Sequence, residues 1–307
     1  MTTTKNDIDG CTRLVGVVGW PIGSWPQVVI YNSLFDALGL NWCCVPLPAR
    51  SRHLRDAFLG LRALNFAGAI VLPTHQRSVL EYLDEVSPAA EIIGSVDLIC
   101  SDDQGRLVGE NLGWLAFAAT LHTIVPSLIG LQPLIIGAGE MASSVVYALT
   151  REGLPLTVVD RHIDRAIDLV RRVRHALDEH SLSVHRWPQD AKRVATNVNL
   201  IVNTCDAGNG FENETSPWPD DLGFPSDALV FDLTTWSDQT RFQSQARMGA
   251  ALTINALPVA VYETTLAIEK WTGYSPPTGV VWQASEGVLA REPTSEAFWS
   301  MEAVAQP

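Results

Sequence analysis

Residues 131–160, LQPLIIGAGEMASSVVYALTREGLPLTVVD, contain the pattern that decides the fold class of this chain. The apolar run PLII predicts a buried strand, the glycines after it predict a tight turn, and the following apolar positions recur at helical spacing. A second apolar run, LTVVD, predicts another strand. Strand, helix and strand in this order form a right-handed crossover between parallel strands, so the segment predicts an α/β fold.

The turn in this segment has the spacing G-x-G-x-x-A, formed by Gly137, Gly139 and Ala142. In a dinucleotide-binding turn the first glycine permits the tight bend and the second lets the backbone approach a pyrophosphate. The third small residue allows close packing of the helix on the strand. The positive helix N-terminus then attracts the phosphates. The pattern predicts an NAD(P) site, and a glycine turn that binds nothing is the simpler alternative.

The end of the second strand indicates which dinucleotide is preferred. Asp160 follows the turn by about twenty residues, where an acidic side chain bonds the ribose hydroxyls and repels a 2′-phosphate. The sequence therefore favours NAD over NADP. Arg161 beside it leaves the choice open, because a guanidinium can attract that phosphate, stack on adenine or remain an ordinary solvated charge.

Alternating strand and helix patterns extend from this segment in both directions. Toward the N-terminus the runs RLVGVVG, NWCCVPLP and AGAIVLP predict strands, and a helical pattern follows each of them, the third being HQRSVLEYLDEV. The stretch IGSVDLICSDDQGRLVGEN predicts a hairpin that turns at DDQG. Toward the C-terminus VNLIVNTC and ALVFDLTT predict strands and PVAVYETTLAIEKWTG predicts a helix. The part from about Tyr274 onward is rich in Pro, Gly and Ser and predicts a surface tail.

A length of 307 residues exceeds one typical core and fits two domains. We expect an N-terminal α/β substrate domain at residues 1–119, with a mostly parallel sheet, followed by a Rossmann-like dinucleotide-binding domain at residues 120–253. Helices within residues 254–307 are expected to return to the first domain and complete it. The expected ligand besides the cofactor is a small-molecule substrate, and the sequence leaves a monomer and a homodimer open.

Charge and composition exclude several classes of protein. The formal net charge is −13, which disfavours binding to nucleic acid or to anionic membranes, because both need basic surface. No apolar run reaches the ~18 residues of a membrane span, and the N-terminus lacks the apolar core of a signal peptide. The five cysteines lack metal-site spacing. These features predict a soluble, cytoplasmic protein without a metal site and with buried, reduced thiols.

Matches in a fixed order along nearly the whole chain resemble the shikimate dehydrogenase family. The matching stretches are GVVGWPIG with the helix YNSLFDALGL, then LDEVSPAAEIIGSV, GRLVGEN, GAGEMA, LIVNTCDAG, FDLTTWSDQT and EKWTG. The residues that these stretches share with the family are mainly glycines, prolines and apolar packing residues. The resemblance implies the two-domain fold described above and NAD(P)-linked oxidation or reduction of a small molecule.

The substrate-facing positions of that family are changed in this chain. Where the family holds a substrate carboxylate with a Ser-x-Ser pair, the aligned residues are Trp25 and Gln27. The position of the family's catalytic Lys carries Gln76, and that of its catalytic Asp carries Gly113. General acid–base help is worth roughly 10²–10⁴-fold. The resemblance therefore implies weak or absent activity on shikimate itself.

A small shift of the alignment would change this conclusion. A slip of one residue places His75 or Arg77 in the role of the catalytic Lys. His75 also matches a family His that shapes the loop, so a structural role is the alternative. Asn111 matches a family Asn, and hydrogen bonding to loop backbone is its expected role.

Two acidic residues enter the site at the same time, since Asp97 replaces a family Asn and Glu263 replaces a family Gln. A pocket with this added negative charge would repel a carboxylate and favour an amine or iminium. Trp25 would add a π-rich wall suited to a cation or a ring. The simpler alternatives are that the acids face solvent or cap a helix and that Trp25 only packs.

Two functional hypotheses follow from these residues. The first is an NAD(P)-dependent oxidoreductase with a substrate other than shikimate, with Gln76, His75 and Asp97 as candidate catalytic groups. Its candidate substrate contacts are Trp25, Gln27, Asn111 and Glu263, and its candidate cofactor contacts are Gly137, Gly139, Ala142, Asp160 and Arg161. The second hypothesis is a catalytically inactive paralogue that binds a nucleotide or metabolite as a regulator or partner subunit.

Overall fold

The computed structural model describes residues 8–23, 25–178, 181–205, 215–234, 240–249 and 251–289. Their strands form two six-stranded sheets. The first sheet contains β1 (Arg13–Gly19), β2 (Trp42–Pro48), β3 (Gly68–Val71), β4 (Glu85–Val86), β5 (Leu98–Ser101) and β6 (Leu107–Glu110). The second sheet contains β7 (Pro133–Ile136), β8 (Leu156–Asp160), β9 (Leu182–Arg186), β10 (Leu200–Asn203), β11 (Leu229–Asp232) and β12 (Leu252–Asn255).

Helices connect most of these strands. They are α1 (Gln27–Leu38), α2 (Leu54–Ala63), α3 (Pro88–Ile93), α4 (Gly113–Ile124), α5 (Glu140–Arg151), α6 (Ile163–Leu177), α7 (Ala191–Val194), α8 (Arg241–Met248), α9 (Leu257–Thr272) and α10 (Thr278–Leu289). Two short 3₁₀ helices lie at Ser51–His53 and Ser78–Tyr82. Strands and helices thus alternate through both halves of the described chain, which confirms the predicted α/β class.

The first sheet is mixed, with the strand order β2-β1-β3-β5-β6-β4. Strands β1, β2 and β3 run parallel, and β5 and β6 form an antiparallel hairpin beside β3. Asp102 closes the turn of this hairpin, because its Oδ1 accepts the backbone N–H groups of Gln104 and Arg106, each at 2.9 Å. Gly105 has a φ of +75°, a conformation that glycine adopts without strain. The hairpin predicted at DDQG is therefore confirmed.

The second sheet is fully parallel, with the order β12-β11-β10-β7-β8-β9. The chain starts in the centre at β7, winds outward through β8 and β9, then returns to β10 on the other side, as in doubly wound folds. Apolar side chains of α4 and α5 cover one face. Phe117 of α4 contacts Phe231 of β11 edge-on, with ring centroids 5.4 Å apart.

Two predicted elements are wrong. The helix expected over HQRSVLEYLDEV is limited to the 3₁₀ turn at Ser78–Tyr82, because the following residues pair with the first sheet. Asp84 donates its backbone N–H to Leu107, and Ser87 donates to Gly109. As far as Leu289, the surface tail expected from Tyr274 instead contains α10, in which Val281 is fully buried and which packs against α1. Residues 290–307 of the predicted tail lie outside the described residues.

The described residues divide into two compact units. The first unit comprises those within Met1–Ser87, Ser95–Glu110 and Thr264–Pro307, and the second those within Pro88–Gly94 and Asn111–Glu263. The units therefore change at residues 110/111 and 263/264, whereas the sequence suggested domain bounds at 119/120 and 253/254. Helix α4 belongs to the second unit because it packs on α5. The sequence-based bounds stay a prediction about independently folding domains.

The described part of the chain lacks two features of other protein classes. Within that part of the chain, no helix combines the length and the apolar character needed to cross a membrane. The same residues contain no group of three or more His, Cys, Asp or Glu side chains placed to hold a metal ion.

We predict that a methyl group at Gly68 destabilises the first unit. Its Cβ would clash with the carbonyl oxygen of Ile99 and with Nε1 of Trp271, which are hydrogen-bonded to each other at 3.0 Å across the glycine. Gly68→Ala should lower the stability by about 1–3 kcal/mol through overpacking. Thermal unfolding of the variant measures the effect.

Gly60→Ala is the matched control, because Gly60 lies within α2 and nothing stands within 4 Å of its Cβ position. Alanine has the higher helix propensity, so this change should stabilise by up to about 1 kcal/mol. Equal melting temperatures for the two variants would contradict the proposed clash at Gly68.

Candidate functional site

The glycine-rich turn joins β7 to α5 at the carboxyl edge of the second sheet. Gly137 has a φ of +112°, and its N–H donates to the carbonyl of Val159 at 2.8 Å. A Cβ at this position would lie 2.6 Å from Oγ1 of Thr204 and 3.0 Å from Sγ of Cys205. Only glycine therefore fits here, for reasons of both backbone conformation and space.

The second glycine of the turn faces open space. A Cβ at Gly139 would meet a single heavy atom within 4 Å, Nη2 of Arg165 at 3.8 Å. Gly139 is the N-cap of α5 and supplies no side chain to that helix end. Ala142, one turn into the helix, is fully buried against the sheet. The three residues have the geometry that a bound pyrophosphate requires, namely a tight bend, an open glycine and a closely packed helix.

Asp160 ends β8, which pairs in parallel with β7, so it lies at the same edge as the turn. Its side chain is 6% exposed, and Oδ1 accepts the N–H of His162 at 2.7 Å. This hydrogen bond fixes the turn that leads into α6. Arg161 between them is exposed.

Arg165 is a cation near the turn that the sequence analysis did not single out. It lies four residues after Arg161, in the first turn of α6, and Nη2 reaches the open space over Gly139. The signal in the sequence was its place at the start of the helical pattern DRAIDLVRRVRHAL, directly after the second strand of the glycine-turn segment. Arg165 reaches the glycine turn only because α6 packs beside that turn, and the sequence does not show this packing.

A buried polar network supports the turn from the neighbouring strands. Asp232, 1% exposed at the end of β11, accepts hydrogen bonds from Asn203 at 3.0 Å, Thr234 at 2.7 Å and Thr240 at 2.7 Å. The Oδ1 atom of Asn203 in turn accepts the N–H of Cys205 at 3.0 Å. These hydrogen bonds fix Thr204 and Cys205, the residues after β10 that lie against Gly137.

Asn111 lies just before α4 and is 3% exposed. Its Oδ1 accepts the N–H of Trp114 at 3.3 Å and the hydroxyl of Ser144 on α5 at 3.1 Å. The side chain therefore bonds to the first turn of α4 and links that turn to the helix of the glycine turn. Gly113 begins α4 and has no side chain to offer for proton transfer.

In the first unit, the candidate residues gather at the carboxyl edge of β1, β2 and β3. Gln76 follows β3, and its Nε2 donates to the carbonyl of Val71 at 3.1 Å. Asp97 precedes the antiparallel β5, and its carbonyl accepts the N–H of Val71 at 2.8 Å. Val96 N–H donates to the carbonyl of Gln76 at 2.9 Å. The structure therefore places Gln76 and Asp97 side by side at the end of β3.

His75 connects two loops at this edge. It is 3% exposed, its Nε2 lies 2.7 Å from the carbonyl oxygen of Ala49, and its Nδ1 lies 3.0 Å from that of Thr74. A carbonyl only accepts, so the short contact to Ala49 needs a proton on Nε2. The ring is therefore bonded to backbone at the end of β2, which agrees with the structural role that the sequence analysis gives as the alternative for His75.

Trp25 and Gln27 follow β1 and lie half-buried at the start of α1. The Oε1 atom of Gln27 is buried, with no hydrogen-bond partner among the described residues. Glu263 lies half-buried on α9 and belongs to the second unit, whereas Asp97 belongs to the first.

Arg50 brings a positive charge that sequence reasoning missed to the edge of the first sheet. Its guanidinium lies over the ring of Trp20, 4.6 Å from the centroid, in cation–π geometry. The backbone of the neighbouring Ala49 is bonded to Gly19, so Arg50 stands directly beside the residues that follow β1. The charge at this edge is therefore not purely negative.

The cysteines differ from the prediction of buried thiols. None of the five forms a disulfide, and Cys11 is exposed while Cys44 is buried. Burial raises the pKa of Cys100 to about 12, with the nearby Glu110 adding to the effect. Burial also raises the pKa of Cys44 well above its ordinary range. Both thiols stay protonated at neutral pH, which makes them poor nucleophiles.

Two family models match the chain in separate segments. Residues 17–99 match the model described as shikimate dehydrogenase substrate binding domain, and residues 119–205 match that of shikimate/quinate 5-dehydrogenase. The shikimate dehydrogenase (NADP(+)) of Carboxydothermus hydrogenoformans is 33% identical over 284 residues, which cover 90% of this chain and 98% of that relative.

Solved structures agree with these matches. The crystal structure of shikimate dehydrogenase from Aquifex aeolicus has a TM-score of 0.82 and 27% identity, covering 91% of this chain and 99% of that one. Shikimate 5-dehydrogenase from Thermus thermophilus, solved in complex with NADP(H) and shikimate, has a TM-score of 0.79 and 25% identity, covering 90% and 100%.

Fold and glycine turn together define a class of proteins in which one α/β unit accompanies a Rossmann-like unit. Within that class, the chain belongs to the shikimate/quinate dehydrogenase family of oxidoreductases. The family resemblance and the class of enzyme inferred from the sequence are thereby confirmed. The expectation of NAD(P) agrees with the NADP(+) dependence of the Carboxydothermus relative and with the NADP(H) bound in the Thermus structure.

Proposed function

We propose that this protein is an NAD(P)-dependent oxidoreductase that acts on a small molecule other than shikimate. The observation that carries the proposal is the glycine turn between β7 and α5, in a chain of a dehydrogenase family. Gly137, Gly139 and Ala142 would hold the pyrophosphate against the N-terminus of α5, and Asp160 would bond the ribose. When bound, NAD(P) would supply or accept the hydride in the oxidation or reduction of the substrate. A cytoplasmic location and a monomeric or homodimeric state remain predictions from the sequence.

The residue types at the family's proton-donor positions support a substrate other than shikimate. Reduction of a ketone needs a proton donor beside the hydride donor. Gln76 replaces the family Lys, and its amide already donates to Val71. Gly113 replaces the family Asp and has no side chain. The Lys–Asp pair that the family resemblance leads one to expect is therefore missing at both of its positions.

Asp97 and Gln76 are the proposed polar contacts of the substrate in the first unit, beside Trp25 and Gln27. His75 then acts as a positioning residue, because its ring is buried and bonded to backbone. Arg50 lies over Trp20 at the same edge of the first sheet, so this edge carries a cation as well as Asp97. Glu263 and Asn111, which belong to the second unit, stay predictions from the sequence. The Oδ1 atom of Asn111 already accepts hydrogen bonds from Trp114 and Ser144.

A regulator without catalysis is the second candidate function. The observation that favours it is the absence of the Lys–Asp pair together with an intact glycine turn. Such a protein would bind dinucleotide and show no turnover with any carbonyl or alcohol substrate. The two candidates share cofactor binding, so turnover alone separates them.

We predict that Gly139→Leu abolishes dinucleotide binding. The side chain would fill the open space in which the pyrophosphate must approach the backbone. Calorimetric titration with NAD and with NADP measures the loss. Gly223→Leu is the matched control, because Gly223 lies in the same unit with nothing within 4 Å of its Cβ position. Undiminished binding by the Gly139 variant would refute the assignment of the turn.

We predict that the wild-type protein prefers NAD to NADP, because Asp160 bonds the ribose hydroxyls and repels a 2′-phosphate. Asp160→Asn should narrow or reverse the preference, as measured by the ratio of the two dissociation constants. A tenfold preference of the wild type for NADP, equivalent to about 1.4 kcal/mol, would show instead that Arg161 and Arg165 dominate the site.

We predict little or no NAD(P)-linked oxidation of shikimate or quinate by the wild-type protein. Groups that act as a unit are not additive, so Gln76→Lys with Gly113→Asp should restore only a trace of activity while Trp25 and Gln27 remain. Steady-state absorbance of the reduced cofactor provides the measurement. Wild-type turnover of shikimate near one per second or faster, within about the ordinary range of enzymes, would return the protein to the ordinary family function.

A further inference from the structure

The residue after the second glycine of the turn is Glu140, the first residue of α5 and the acidic residue of its first turn. Gly139, the N-cap, has no side chain with which to bond the free N–H groups of this helix end. The Oε2 atom of Glu140 is buried although the residue as a whole is half-buried. The carboxylate therefore lies against the protein rather than extending into solvent.

The position of Glu140 gives its charge two opposite effects. Side chains on a helix tilt toward its N-terminus, so the charge of a carboxylate on the first residue acts at that end of the helix. Negative charge at that end stabilises the helix through its dipole. A pyrophosphate binds the same N–H groups and the same positive end. Glu140 therefore favours the empty helix and repels the ligand that would replace it.

The surroundings of the turn include a charge of opposite sign. The Nη2 atom of Arg165 lies 3.8 Å from the Cβ position of Gly139, over the open side of the turn. An incoming pyrophosphate meets this guanidinium and the carboxylate of Glu140 within one turn of helix. The net attraction for phosphate is thus smaller than the glycine pattern and Arg165 alone would provide.

We infer that Glu140 sets the cofactor affinity of this protein by competing with the pyrophosphate for the N-terminus of α5. This inference rests on the proposed function and adds a determinant to the same site. This role would explain why Glu140, an acidic residue, lies at the N-terminus of α5, where the anionic pyrophosphate is expected to bind. The consequence is a dinucleotide that is held loosely and exchanges readily.

The test uses Glu140→Gln, which keeps the size and hydrogen-bonding capacity of the side chain and removes its charge. We expect the variant to bind NAD and NADP about threefold to tenfold more tightly in calorimetric titration, the range for one unit charge in a partly solvated site. We also expect the melting temperature of the ligand-free variant to fall, because the helix dipole loses its partner. The gain in affinity should shrink between about 0.05 M and about 0.5 M salt, since ions screen the charge.

Glu152→Gln is the matched control, at the other end of the same helix, where Glu152 pairs with His122 at 2.9 Å. This variant should leave both dissociation constants unchanged. Equal or weaker dinucleotide binding by Glu140→Gln, in a wild-type protein that binds, would overturn the inference while the proposed function stands. Absence of dinucleotide binding in both the wild type and Glu140→Gln would overturn the proposed function and the inference together.

Discussion

The close approach of Gly137 to the residues after β10 is the constraint on which the cofactor site depends. Thr204 donates its hydroxyl to the carbonyl of Ile136 at 2.8 Å, and Gly137 donates its N–H to Val159. The turn is thereby tied to the strands on both sides of β7. Any side chain at Gly137 would separate them, because Oγ1 of Thr204 stands 2.6 Å from the Cβ position.

The polar network around Asp232 extends this constraint through the rest of the parallel edge. Its carboxylate is buried and accepts three side-chain hydrogen bonds, so it is satisfied without exposure to water. One of the donors, Thr240, also caps α8 by accepting the N–H of Gln243 at 3.1 Å. The network thus joins the ends of β10 and β11 to the start of the next helix.

The edge of the first sheet is organised by a comparable contact, between His75 and the carbonyl of Ala49. It holds the loops after β2 and β3 together, and those loops carry Arg50 and Gln76. These backbone contacts hold the loops in place independently of the polar side chains that the loops carry. One scaffold of this kind can therefore carry different ligand-binding groups.

The sequence by itself determined the α/β class, the glycine turn at Gly137 and Gly139, and the hairpin at DDQG. These features depend on residues close together in the chain, where spacing and backbone preference act directly. It also identified the family, because scaffold residues occur in a fixed order. The family resemblance further implies that Gln76 and Gly113 stand at the positions of the family's acid–base pair, which stays a prediction.

Only the tertiary structure decided which of these residues meet. The segment Asp84–Ser87 pairs with β6 instead of continuing a helix, since sheet hydrogen bonds from distant residues outweigh a local helical pattern. His75 is buried and bonds to the carbonyl of Ala49 from another loop. The packing of α6 brings the guanidinium of Arg165 close to Gly139. Such contacts join residues that lie far apart in sequence. Their geometry follows from the packing of whole helices and strands, which periodicity and spacing do not specify.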